Sequence, residues 1–139
     1  KPITQTYEEV KKLLDIAQES QSIVMCGHIQ LYDPAIITMQ DNLSKIGKIT
    51  NMNYRGLLSP VRNDCSVLED WGPHPVYLFT HFTDSNPTSI STRLLENGNV
   101  ELKLQFANNT TCVANIGWIA EKRERVFARL DNNAMDFAG

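Results

Sequence analysis

Long hydrophobic runs are missing from this sequence. None of its apolar stretches approaches the roughly 20 residues that a membrane-spanning helix requires. Basic clusters are missing too: 13 Lys and Arg stand against 16 Asp and Glu, for a net charge of −3. That balance offers no electrostatic footprint for nucleic acid or an anionic membrane. Cysteine is scarce and odd in number. Cys26, Cys65 and Cys112 are too scattered for a disulfide framework or a Cys-x-x-Cys metal pair. They read as small packed hydrophobes, best suited to a reducing cytoplasm. The opening residues, Lys1-Pro2-Ile3-Thr4, lack the apolar core of a secretion signal. Internal repeats and low-complexity linkers are lacking as well.

What is present is ordinary globular material. With 42% apolar and 21% charged residues over 139 positions, the chain can bury one real core. Thr6 with Glu9 forms a capping box, and Val10, Leu13, Leu14 and Ala17 recur at helical spacing, which predicts a helix over 6–20. Residues 22–27, Ser-Ile-Val-Met-Cys-Gly, read as a buried strand. A helix followed by a buried strand is half of a parallel α/β unit, so a longer chain is expected upstream. Asp33-Pro34 opens a second helix that should stop at Gly47. The pattern over 48–56 is β-like, with Ile49, Met52 and Tyr54 as inward residues, and 57–64 reads as loop. Beyond Pro87, strands are predicted over 89–95, 100–106, 111–119, 125–130 and 134–137, the first two joined at Asn97-Gly98. The expected class is α+β: an open antiparallel sheet with helices on one face, preceded by a helix–strand remnant.

The stretch that carries chemistry is Asp70-Trp71-Gly72-Pro73-His74-Pro75. Pro73 suits the first turn of a helix, where a missing N–H costs nothing, so a helix should run from there to about Asp84. Asp70 then lies just outside that helix and His74 in its first turn. The positive helix end disfavours imidazolium, which would leave His74 neutral and able to accept a proton. Asp before a helix and Gly-Pro in a turn are also ordinary structural choices. Asp70, His74 and His81 are not expected to share a metal, because seven residues span about 10 Å of helix. Trp71 and Tyr77 have flat faces on which a sugar stacks, with core burial as the alternative. Tyr54 joins them as a candidate substrate contact. Arg55 and Arg62 flank the long loop and could bind a substrate carboxylate or phosphate.

Three features stand in a familiar order: Lys1-Pro2 before a helix; Gly27-His28-x-x-x-Tyr32-Asp33-Pro34-Ala35, with Ile46-Gly47-Lys48-Ile49 after it; and Asp70-x-Gly72-x-His74 entering a helix. In this the chain resembles the Gfo/Idh/MocA family of NAD(P)-dependent oxidoreductases. The resemblance implies that residues 1–28 are the tail of a nucleotide-binding Rossmann domain. Residues 29–139 would be the α+β domain that holds substrate and often forms the oligomer interface. It further implies that Lys1 and Pro2 touch the cofactor, that Lys1 also serves catalysis, and that His74 is the acid–base residue with Asp70 orienting it or the substrate. NAD or NADP would serve the longer enzyme, with a sugar or polyol as substrate, and no cofactor is expected for this chain alone. Two departures accompany it. The glycine-rich phosphate loop is missing from this chain, and Pro75, Val76 and Tyr77 stand where many members carry an acidic residue.

The alternative is a non-catalytic module that binds a ligand or self-associates through its sheet. A homodimer or higher homo-oligomer is expected on either reading. If Cys112, Ala114, Ile116 and Trp118 cover the helices, then Val113, Asn115, Gly117 and Ile119 face outward as a half-apolar patch. Gly117 would let a second subunit approach closely.

Overall fold

The computed structural model describes residues 2–58, 61–96, 98–118, 127–131 and 135–138, with side chains except at 46, 58 and in the last two stretches. Helix α1 (Tyr7–Glu19) starts as its capping box requires. The Thr6 hydroxyl accepts from the Glu9 N–H at 3.3 Å, and the Glu9 carboxylate accepts from the Thr6 N–H at 3.1 Å. A 3-10 turn over Ile29–Tyr32 leads to α2 (Pro34–Ile46). Asp33 caps α2 by accepting from the Ala35 N–H at 2.8 Å, and Gly47, at φ +86°, ends it.

Strand β1 (Asn51–Leu58) follows, burying Met52 and Tyr54 and exposing Asn51, Asn53 and Arg55. A one-turn helix α3 (Val67–Asp70) runs almost directly into α4 (Pro73–Thr83). Just beyond the loop expected over 57–64, a second capping box starts α3. The Ser66 hydroxyl accepts from the Glu69 N–H at 3.2 Å, and Glu69 accepts from the Ser66 N–H at 2.7 Å. Four helices and the sheet make the α+β class that the pattern predicts.

The remaining strands are β2 (Pro87–Leu94), β3 (Val100–Phe106), β4 (Thr111–Trp118), β5 (Phe127–Asp131) and β6 (Met135–Ala138). Gly98 takes the left-handed position, φ +79°, in the β2–β3 hairpin, and Asn109, φ +64°, does so between β3 and β4. The order across the open sheet is β2-β3-β4-β1-β5-β6. Here the structure corrects the all-antiparallel expectation. β1 lies in the middle, parallel to β4 and antiparallel to β5. The reason is directional. Helices α3 and α4 form a crossover that returns the chain across the sheet, so β2 runs the same way as β1. Two antiparallel reversals later, β4 again has that direction and pairs with β1 in parallel.

One sheet face is apolar and packs on α2 and α4. Leu104, Cys112, Ala114 and Ile116 are fully buried there against Met39, Leu78 and Phe79. On the other face Val113 and Asn115 are half-buried. A Cβ at Gly117 would lie 2.0 Å from the Asn99 side chain. The space at Gly117 is therefore filled by this chain's own Asn99, not left for a second subunit. Ile119 lies outside the described residues.

A second correction concerns residues 22–27. They form no strand: Ile23 is 96% exposed and Met25 75% exposed. A buried strand needs a neighbouring ladder, and none of the described residues offers one.

The α3–α4 junction sets a close approach. A Cβ on Gly72 would sit 2.4 Å from the Leu68 carbonyl oxygen. Gly72→Ala should therefore lower the unfolding free energy by about 1–3 kcal/mol, seen as a reduced urea midpoint. At Gly27, where a Cβ meets nothing within 4 Å, the same change should move stability by less than about 0.5 kcal/mol.

Candidate functional site

The site grows from a broken helix. Trp71 N–H donates to the Val67 carbonyl at 2.8 Å and Gly72 N–H to that of Leu68 at 3.0 Å, continuing α3. Pro73 has no N–H to continue the ladder, and α4 starts on it. Asp70 and His74 flank this break and are both buried, at 7% and 6% exposure. A buried carboxylate needs charged or hydrogen-bonding partners. Arg62 supplies one, its Nη1 donating to Asp70 Oδ1 at 3.1 Å, while its Nε donates to Asp64 at 3.0 Å. The bond to Arg62 holds the Asp64 carboxyl below its ordinary range. Burial pushes the neighbouring Cys65 thiol up, which makes it a poor nucleophile.

His74 Nδ1 lies 2.9 Å from the Tyr77 hydroxyl oxygen. Its ring tilts against Trp71 at a centroid distance of 5.1 Å, and His28 covers Tyr77 at 4.2 Å. Burial pushes the Tyr77 hydroxyl up to about 12, against a smaller opposing effect of the nearby Gln30 backbone. The Gln30 side chain donates to the Tyr54 hydroxyl at 3.3 Å. Burial raises that hydroxyl above the ordinary tyrosine range as well. Both tyrosines therefore stay protonated at neutral pH and act as hydroxyls.

Two clefts border this network. One, of about 530 Å³, is walled by Pro2 to Gln5 and by Arg62, Asp64, Glu69 and Asp70. The other, of about 430 Å³, lies against His28, Tyr77, His81 and Asp84. His74, between Asp70 and Tyr77 in the chain, lines neither of the two.

The structure thus unites part of the expected site. Pro2 shares a cleft with Asp70, and His74 joins Trp71 and Tyr77. Lys1 lies outside the described residues. Tyr54 and Trp71 are core residues, with the indole packed across Gly56, where a Cβ would meet it at 3.0 Å. Burial removes the flat faces on which a sugar would have stacked. Arg55 sits on the opposite sheet face from Tyr54, because successive strand residues alternate. His81 is exposed in the second cleft, edge-on to Phe82, and stands apart from Asp70. No group of three or more His, Cys, Asp or Glu among the described residues is arranged to hold a metal. Gln30 and His28 were not read as site residues. Their signal was only their position inside the Gly27-to-Ala35 motif.

The sequence matches no family model and no curated protein. Solved structures do match. Myo-inositol 2-dehydrogenase from Lactobacillus plantarum agrees with a TM-score of 0.85 at 16% identity, over 99% of this chain and 48% of that one. The chain has the fold of one half of a Gfo/Idh/MocA-type oxidoreductase. Biliverdin reductase from Synechocystis, solved with biliverdin and NADP+, gives 0.83 at 20% identity, over 100% of this chain and 51% of that one. UDP-N-acetylglucosamine 3-dehydrogenase from Acidithiobacillus ferrooxidans gives 0.78 at 18% identity, over 100% and 54%. The chain spans about half the length of the solved structures it matches.

The cap that starts α3 carries a pH dependence. The Ser66 N–H holds the Glu69 carboxyl below its ordinary 4.5. A folded-state value lowered in this way contributes stability above 4.5, and that stability is lost as pH falls through the folded value. The deficit of Glu69→Gln relative to the native protein should therefore be largest near neutral pH. It should shrink in urea titrations at strongly acidic pH.

Proposed function

We propose that this chain is the substrate-side half of an NAD(P)-dependent oxidoreductase that interconverts an alcohol and a carbonyl on a sugar, polyol or related hydroxy compound. The observation that carries the reading is the agreement of the whole chain with half of several dehydrogenases and reductases. On this reading residues 1–28 close a nucleotide-binding domain and 29–139 form the substrate domain.

The nucleotide's phosphates do not fit the cleft beside Pro2. Among the described residues that line it, Asp64, Glu69 and Asp70 outnumber Arg62, a balance that disfavours a pyrophosphate. Phosphate binding belongs to the other half of the longer protein. The same carboxylates suit hydroxyl groups, which donate to them. The nicotinamide supplies the hydride chemistry; this chain's part is the proton. His74 takes the proton from the alcohol oxygen in oxidation and returns it in reduction, with Asp70 orienting substrate or imidazole. Lys1 stabilises charge on that oxygen.

The reading carries a cytoplasmic location, supported by three free thiols. It also carries a homo-oligomer through the open sheet face, supported by half-buried Val113 and Asn115. One observation favours a second reading, a non-catalytic ligand-binding module: the His74 imidazole is buried and bonded to Tyr77. The two diverge on a single variant. In the protein carrying this segment, His74→Ala should cut NAD(P)+-linked turnover of polyols by about 10²–10⁴-fold while leaving the fold intact. Turnover within twofold of the native rate would leave only the module.

A further inference from the structure

Arg62 carries its N–H donors on one rigid plane, always charged. Asp64, two residues on, takes one edge of that plane: Nε donates to Oδ1 at 3.0 Å and Nη2 to Oδ2. A fork-on-fork pair of this kind fixes direction as well as charge. Nη1 then donates to Asp70 Oδ1 at 3.1 Å. The two carboxylates differ in their surroundings. The Asp64 side chain is 67% exposed, whereas that of Asp70 is 8% exposed in the wall of the cleft beside Pro2. An exposed ion pair contributes little to stability, but the grip of Asp64 takes freedom from a long side chain and aims it. The last torsion of an aspartate is broad and two-fold, so a carboxylate turns readily unless an oxygen is held. Arg62 holds one.

We infer that Arg62 is a positioning residue: aimed by Asp64, it fixes the orientation of the buried Asp70 carboxylate in the wall of the cleft. The neighbouring ionisable groups face elsewhere or carry no positive charge. Glu69 accepts from the Ser66 N–H at 2.7 Å, Cys65 is a thiol, and His74, one turn on, meets Tyr77 through Nδ1. Among the described residues that line the cleft, Arg62 is the one cation.

The consequence for catalysis rests on the proposed role of Asp70; the pairing does not. A carboxylate held by one oxygen meets substrate or imidazole already oriented.

The test combines carbon-13 NMR of the aspartate carboxyls with kinetics, both on the protein carrying this segment. Asp70→Asn assigns the Asp70 signal. Arg62→Gln removes the adjacent cation, so that signal should titrate at a higher pH than in the native protein. A titration unmoved by Arg62→Gln would overturn the inference. In kinetics, Arg62→Gln should lower kcat by up to about 10²-fold where Asp70 is present and leave the Asp70→Asn background unaltered. An equal loss in both backgrounds would also overturn it, because Arg62 would then act on the substrate by itself. A moved titration with an unaltered kcat would support the placement of Arg62 and remove Asp70 from the mechanism. Where Arg62→Gln folds poorly, Arg62→Lys decides, since it keeps the charge and loses the fork. It should lower kcat less than Arg62→Gln, again only where Asp70 is present, and an equal loss in both backgrounds counts against the inference.

Discussion

Pro73 has no N–H to donate and Gly72 has no Cβ to clash, and together they turn one continuous helix into α3 and α4. Much else hangs on that break. It aims Asp70 towards Arg62 and the cleft beside Pro2, and it brings Trp71 down onto Gly56 of β1. It then presents His74 and Tyr77 on the buried side of α4. The same crossover sends β2 off parallel to β1, which obliges β4 to meet β1 in parallel. Chemistry-bearing residues and sheet topology therefore share one cause.

Around the break, the buried polar groups Asp70, His74 and Tyr54 are paired. Arg62 forks between Asp64 and Asp70, Gln30 reaches Tyr54, and Tyr77 meets His74. Such groups are costly inside a fold unless each finds a partner, and the partners come from distant segments. Gln30 lies in the turn before α2, whereas Tyr54 is on β1 and Tyr77 on α4. A network of this kind rigidifies the imidazole. That is useful both to a catalytic residue and to a structural one.

The open sheet face shows how a local reading can be right in alternation and wrong in consequence. Cys112, Ala114 and Ile116 do face the helices. Gly117 does face away, but the volume it leaves is taken by Asn99 across the hairpin. A glycine marks a close approach without naming what approaches.

Caps, turns and faces were legible in the sequence because each depends on residues a few positions apart. Thr6 with Glu9, Asp33 with Pro34, and the alternation Leu102-Leu104-Phe106 all declare themselves locally. Ser66 with Glu69 is equally readable, although it lies between the expected loop over 57–64 and the expected helix. The Asp70–His74 stretch stood out through Pro73 and the spacing of its ionisable groups. Tertiary structure alone decided the rest. Alternation is the same beside a parallel or an antiparallel neighbour, so nothing local puts β1 between β4 and β5. An apolar hexapeptide reads as a strand whether or not a ladder stands next to it, as residues 22–27 show. Whether Tyr54 and Trp71 serve a ligand or a core depends on which helix lies above them, and the sequence by itself does not say which.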